Sequence, residues 1–429
     1  MKILWVCNVK IPKIDAISNK KNTNYVGGWL DGASELLLKD EDISLIYCYP
    51  NYESESLIEA YESNFYSYGI PMKYLEATKT LNNKSVAVDL FKKIVEKRKP
   101  DIIHFWGTEY LYALEFFKVL KNIGGGYEEK TIISIQGLVS VLAKHFDAGV
   151  PNRIMNLSTL SELKGHCSLR LLKKSFEFRG EREIELLRNV KNVIGRTSWD
   201  EACTGIINHK RVYYKCNESL RSTFYSDQWN YKKCRPHQIF ISQASYPIKG
   251  FHRVLEAVSL IKEQYPDLLI KVAGQDIFHG NKLKGNTYGN YIQNLIRKYG
   301  LENNIIFCGM MDANHMKKTL LESNVFVSAS AIENSPNSLG EAMLLGVPCV
   351  ASDVGGCADM MEHKKEGFIY PFNESYKLAF YLCKIFENES LADNLGQEAR
   401  KKALITHDKE RNNEVLCKIY EEIVYNCSK

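Results

Sequence analysis

Short apolar runs alternate with longer amphipathic stretches along most of the chain. In the first half the runs fall at residues 3–7, 43–48, 101–105, 131–135 and 192–196. In the second half they fall at 238–242, 268–273, 304–307, 325–329, 349–352 and 367–370. A brief apolar run bounded by turn formers reads as a strand buried on both faces, the usual state of a strand in a parallel sheet. Strands that alternate with helical patterns predict doubly wound parallel sheets of the Rossmann type. Between the halves, residues 226–236 are polar, aperiodic and closed by Pro236, and read as a linker. The expected organisation is α/β throughout, with domains at 1–228 and 237–405 and a terminal helical segment at 406–429.

The second half holds the densest candidate chemistry. The loop after the 325–329 strand runs Glu333-Asn-Ser-Pro-Asn-Ser-Leu-Gly-Glu341. Pro336 with Asn337 and Ser338 suits a helix start, and Gly346 with Pro348 suits its end. Open α/β sheets bind ligands at the carboxyl ends of their strands, which is where this loop falls. Glu333 lies in the loop and Glu341 about one turn into the helix. Carboxylates accept paired hydroxyl hydrogen bonds, and helix-start amides welcome phosphate, so the set suits a sugar nucleotide. Two acids that merely favour a helix dipole are the plainer reading of the spacing alone. Three further pieces follow successive strands: Lys249-Gly250, Gly309, and Gly355-Gly356.

Candidates in the first half are weaker. Gly27-Gly28 opens a helical pattern after a long polar loop, where backbone can approach a ligand. His104 and Gln136 lie near the carboxyl ends of their strands, where they could face an interdomain cleft; a structural role for His104 is the alternative. Arg196 ends another strand and faces either a ligand phosphate or a local carboxylate such as Asp200. Asp40-Glu41-Asp42 precedes a strand, at the wrong edge of the sheet for a ligand, and reads as a solvated turn. Residues 163–191 form a basic helical stretch with interleaved leucines and phenylalanines. That stretch is either a solvated face or a surface for anionic lipid.

The chain has 429 residues, more than one ordinary core requires, which agrees with two domains. Its net charge of +5 fits anionic ligands or an anionic membrane but argues little for nucleic acid. The 12 cysteines are scattered without C-x-x-C spacing and read as reduced core thiols of a cytosolic protein. No apolar run is long enough for a transmembrane helix, and the N-terminal run is too short for a signal peptide.

The spacing of Glu333 and Glu341, followed by Ala342, Gly346, Pro348 and Gly355-Gly356, together with Pro247-Ile-Lys249-Gly250, resembles glycosyltransferase family 4. These are retaining enzymes of the GT-B fold, with two Rossmann-like domains facing across a cleft. The resemblance is strongest over 239–372 and looser before that. It implies that Glu341 binds the donor ribose and Glu333 the hydroxyls of the transferred sugar. Lys249, beside Gly250, would bind the diphosphate and stabilise its leaving charge. Backbone at Asn337, Ser338 and Leu339 would hold phosphate or sugar, and Gly309 and Met310 would line the base site. Gly28, His104, Gln136 and Arg196 become acceptor-side candidates, and the last helix would cross back onto the first domain.

The implied activity is metal-independent, retaining transfer from a nucleotide sugar, a UDP-sugar first, to a glycan or lipid-linked acceptor. Capsule or exopolysaccharide assembly and protein glycosylation are the implied settings. No cofactor is implied. The implied location is the cytoplasm, with peripheral contact at an anionic membrane. A GT-B epimerase or phosphorylase is the enzymatic alternative, and a non-catalytic sugar-nucleotide module the third. Two departures stand out: Ala244 where many members carry an arginine, and Gln136 where many carry a histidine.

Overall fold

The computed structural model describes residues 1–18, 28–72, 85–277 and 285–429. The chain divides into two units. The first comprises Met1–Ser140, Arg179–Leu220 and His407–Lys429; the second comprises Val141–Phe178 and Arg221–Thr406.

The first unit is built on an eight-stranded sheet of order β3-β4-β2-β1-β5-β6-β7-β8. Its strands are β1 Lys2–Val6, β2 Ser44–Asn51, β3 Ile58–Glu62, β4 Phe65–Pro71, β5 Ile102–Trp106, β6 Thr131–Ser134, β7 Asn192–Gly195 and β8 Val212–Lys215. Only β3 is antiparallel; it returns from β4 as a hairpin edge. The central strands β1, β5, β6 and β7 are almost wholly buried, as their apolar sequences require. β3, β4 and β8 had no clear signal. β3 and β8 are short edge strands with one wet face, and β4 mixes tyrosine, serine and glycine.

The C-terminal helix Lys409–Cys427 belongs to this unit and places Leu416, Ile419, Tyr420 and Ile423 in its core. The hydroxyl of Tyr420 accepts from the Trp5 indole N–H at 3.0 Å.

The second unit carries a six-stranded parallel sheet of order β11-β10-β9-β12-β13-β14. The strands are β9 Arg235–Ile241, β10 Leu269–Ala273, β11 Ile305–Gly309, β12 Ser323–Ser328, β13 Cys349–Ser352 and β14 Phe368–Tyr370. The order runs outward in both directions from β9 and β12, so the topological switch point lies between those two strands.

Two sequence expectations change here. Residues 226–236 are not a free linker. Trp229 is buried, with its indole N–H on the Ser323 carbonyl at 2.7 Å and its amide on the Leu345 carbonyl at 2.7 Å. Arg235 and Pro236 already belong to β9. An indole surrounded by polar neighbours gains enough apolar burial to pin such a segment. The 163–191 helix is also two helices, Leu160–Gly165 and Leu169–Asn189, broken where His166 takes a left-handed conformation at φ 49°. The preceding segment and the first half of the longer helix group with the second unit, whereas the sequence pattern carries the first domain through 228.

Candidate functional site

Lys249 lies in the loop leaving β9, and Glu333 in the loop leaving β12. The switch point therefore sets them side by side, with Lys249 Nζ 2.6 Å from Glu333 Oε1. Ser330 Oγ donates to the same carboxylate oxygen at 2.7 Å. Burial works against the Lys249 charge, but the Glu333 carboxylate outweighs it and holds the ammonium above its ordinary value.

Backbone contacts keep the loops in register. The Ala331 amide donates to the Ile248 carbonyl at 2.7 Å, and the Gly356 amide to the Glu333 carbonyl at 3.1 Å. Gly250 has φ +67°, and a Cβ there would sit 1.8 Å from the Ala329 carbonyl oxygen. Gly355 has φ +53°, and its Cβ would sit 1.8 Å from the Glu333 carbonyl oxygen. Gly250 thus lets its loop approach the end of β12, and Gly355 lets its own approach the loop that holds Glu333.

Gly355→Ala is accordingly expected to destabilise the chain by at least about 1–2 kcal/mol from backbone strain alone, and to displace Glu333. Gly309→Ala is the control, since Gly309 has a similar φ of +69° with nothing near its Cβ. Melting temperatures of the two variants separate strain from crowding; equal, small shifts would mean that the loop yields without loss.

Helix Asn337–Leu345 begins after Pro336, whose carbonyl takes the Leu339 and Gly340 amides. Amides of a first helical turn have no intrahelical acceptor and carry the positive end of the dipole. Ser338 is fixed toward β9 by the Ser242 hydroxyl, 3.1 Å away. Glu341 is buried, and both its oxygens are taken by one guanidinium: Arg221 Nε at 2.6 Å and a terminal nitrogen at 2.7 Å. Burial raises the Glu341 pKa, and Arg221 opposes that rise.

The second unit therefore gathers Lys249, Gly250, Glu333, Asn337, Ser338, Leu339 and Glu341 around one switch point. Gly309 ends β11 and the exposed Met310 follows it, two strands from β9, or about 10 Å at usual strand spacing. Ala244 is buried and brings no charge.

The first-unit candidates do not form one constellation. His104 is a core residue rather than a ligand-facing one. Its Nδ1 meets the Tyr420 hydroxyl at 2.5 Å and its Nε2 the Ser134 hydroxyl at 2.7 Å, and burial pushes its pKa down to about 3. Gln136 and Arg196 converge on Glu218: Arg196 Nη1 lies 2.7 Å from it, and the Gln136 side-chain amide donates to its other oxygen. The second terminal nitrogen of Arg196 reaches the carbonyls of Ile135 and Gln136 at 3.3 and 3.2 Å. The local acid that binds the guanidinium is Glu218, while Asp200 takes only the Arg196 amide. Gly28 begins helix Gly28–Leu37, and the rest of its loop, 19–27, lies outside the described residues.

Sequence reasoning missed Arg221, Ser330 and Glu218, none of which carries a periodic or turn signal. It also missed Glu109. That residue follows β5 at the first sheet's own switch point, beside β1, and burial pushes it up to about 7. The rule that placed Glu333 could have found it, because Gly107-Thr108-Glu109 leaves a buried strand at its carboxyl end.

Among the described residues no group of three or more His, Cys, Asp or Glu side chains is placed to hold a metal ion. Asp40 to Asp42 sit in the turn before β2.

Residues 224–402 match the family model described as glycosyl transferases group 1. Over 175 residues the chain is 27% identical to the Bacillus subtilis (strain 168) protein named "Putative glycosyltransferase YtcC"; the match takes in 39% of this chain and 42% of that protein. The matched stretch thus spans less than half the length of that relative. Sucrose-phosphate synthase from Thermosynechococcus elongatus aligns with a TM-score of 0.72 over 99% of this chain and 100% of its own, at 15% identity. The Anabaena protein HepE in complex with UDP aligns with a TM-score of 0.66 over 98% and 100%, also at 15% identity. At such identity these two likenesses speak for the fold. The chain thus has the two-domain GT-B fold, and residues 224–402 are the stretch similar to the glycosyl transferases group 1 family.

Proposed function

We propose that the chain is a retaining glycosyltransferase of family 4 type. It moves a sugar from a nucleotide-sugar donor, a UDP-sugar first, to a glycan or lipid-linked glycan. The observation that carries this reading is the Lys249–Glu333 pair at the switch point, beside the start of the helix that holds Glu341. In the reaction the bond between the anomeric carbon and the diphosphate breaks, and the diphosphate gains negative charge. Lys249 and the amides of Asn337 and Ser338 stabilise that charge as it develops. Glu333 accepts hydroxyl hydrogen bonds from the transferred sugar, and Glu341 from the ribose. The acceptor hydroxyl attacks from the face the diphosphate leaves, and its proton passes to the departing phosphate oxygen. A cation and a helix start then supply the counter-charge that a metal supplies in other transferases. That the HepE structure contains UDP supports a uridine nucleotide as the donor carrier.

Among the described residues no helix is long and apolar enough to cross a membrane. The reading places the chain in the cytoplasm, touching the inner face of the membrane where a lipid-linked acceptor would be presented.

A donor screen tests the activity. The protein is incubated with a panel of nucleotide sugars, and thermal shift and release of free nucleotide are measured, with and without EDTA. A UDP-sugar is expected to give the largest shift and measurable release, unaffected by the chelator. A shift from no nucleotide sugar would overturn the donor reading, and loss of release in EDTA with recovery on adding magnesium or manganese would overturn metal independence. Release that depends on added inorganic phosphate would point to a phosphorylase.

A further inference from the structure

We propose that the outer face of residues 157–174, in the second unit, is a docking surface for an anionic lipid bilayer. This deepens the membrane contact in the reading above, and its test requires no sugar transfer.

Helix Leu160–Gly165 is fixed from one side. Both Glu162 oxygens are held inside the unit, Oε1 by the Thr287 amide at 2.8 Å and Oε2 by the Thr159 amide at 2.8 Å and the Thr287 hydroxyl. Ser161 Oγ donates to the Gly285 carbonyl at 3.1 Å. With 161 and 162 turned inward, helical geometry turns 160, 163 and 164 outward. Leu160 is 59% exposed and Leu163 56%, and Leu157, just before the helix, is 56% exposed. Leu172 on the next helix adds a further exposed leucine. Apolar side chains concentrated in this way on an outer face mark an interaction surface rather than ordinary scatter.

The charge around them is mostly positive. Residues 144–174 contain Lys144, Arg153, Lys164, Arg170, Lys173 and Lys174, against two acids, Asp147 and Glu162. Glu162 is spent internally, and Asp147 is paired with Lys173 at 2.7 Å. The other five cations are exposed. Arg170, Lys173 and Lys174 share a groove with Asn152 and Asn156 and with two acids, Asp147 and Glu177, so its cations outnumber its acids three to two. Exposed leucines flanked by lysine and arginine are the composition of an interfacial helix, in which the apolar face enters the acyl boundary and the cations meet lipid phosphates.

The test is co-sedimentation of the full chain with phosphatidylcholine vesicles, with and without phosphatidylglycerol. Two double variants are compared, Leu160→Ser with Leu163→Ser, and Arg170→Glu with Lys174→Glu. Melting temperature confirms that each is folded. Binding that requires phosphatidylglycerol and is weakened about tenfold or more by each variant supports the proposal. No binding to either vesicle overturns it. Binding insensitive to the leucine pair, or to the charge pair, also overturns it. Retention on RNA or DNA without vesicle binding overturns it in favour of a polyanion surface.

Discussion

Lys249→Ala is expected to lower turnover about 100- to 1,000-fold, the usual loss when one preorganised donor to a developing negative charge is removed. The fold should survive, because Lys249 sits at a loop end and its main partner is a single carboxylate. Glu333→Gln should lower turnover less, by about 10- to 100-fold, from the loss of a charged hydrogen-bond acceptor worth roughly 1.5–3 kcal/mol. The double variant is the sharper experiment. The two side chains are 2.6 Å apart, so each single change leaves the other group without its counter-charge. The double variant should therefore lose clearly less than the two singles combined. Steady-state kinetics of the four proteins check this. Strictly additive losses would mean that the two groups act independently, and unchanged turnover in both singles would remove the site. Glu333 holds Lys249 above its ordinary value, so Lys249 stays protonated throughout the usual assay range. An alkaline loss of activity near pH 8 would belong to another group.

Arg221→Ala is expected to destabilise the second unit by about 3–5 kcal/mol, the cost of leaving a buried charge without its partner. Glu341 is only 3% exposed, and a single guanidinium takes both its oxygens. Burial already raises the Glu341 pKa and Arg221 holds that rise in check, so removing Arg221 moves it higher still. The sign of the pH dependence follows. A carboxyl whose folded pKa is raised favours the fold below its unfolded value and loses that contribution as pH rises through the folded one. The stability gap between Arg221→Ala and the native protein should thus be widest near neutral pH and narrow on acidification, as Glu341 takes up a proton in the variant. Nucleotide binding by the variant should improve with rising pH, because only the ionised carboxylate accepts two ribose hydroxyls. Arg221→Lys should recover part of the stability but not all, since an ammonium cannot reproduce the two-pronged contact. Denaturant titrations at several pH values, with calorimetry for the nucleotide, provide the readings. A gap that does not change with pH would show that the pair is not the origin of the loss.

The sequence by itself determined the class of fold and the sheet edge at which the candidate residues of the second unit lie. Strands buried on both faces must be continuous apolar runs, so those of the second sheet stand out locally, and the carboxyl end of each can be read without coordinates. That was enough to put Lys249-Gly250, Gly309 and the stretch from Glu333 to Glu341 at one edge of one sheet. The close approach of Gly250 and Gly355 to Ala329 and Glu333 was legible only as glycine at a loop, not as the contact each makes. What the sequence could not supply were pairings between distant positions. The Arg221–Glu341 bridge spans 120 residues and the Gln136–Glu218 contact 82, and neither side of either pair has a local pattern that names its partner. The tertiary structure also decided that His104 is sealed between Tyr420 and Ser134, that Trp229 turns an apparent linker into a docked segment, and that residues 141–178 group with the second unit. Each of these depends on which surfaces meet after the chain has folded. Local periodicity records which face of an element is apolar, but not which other element that face will meet.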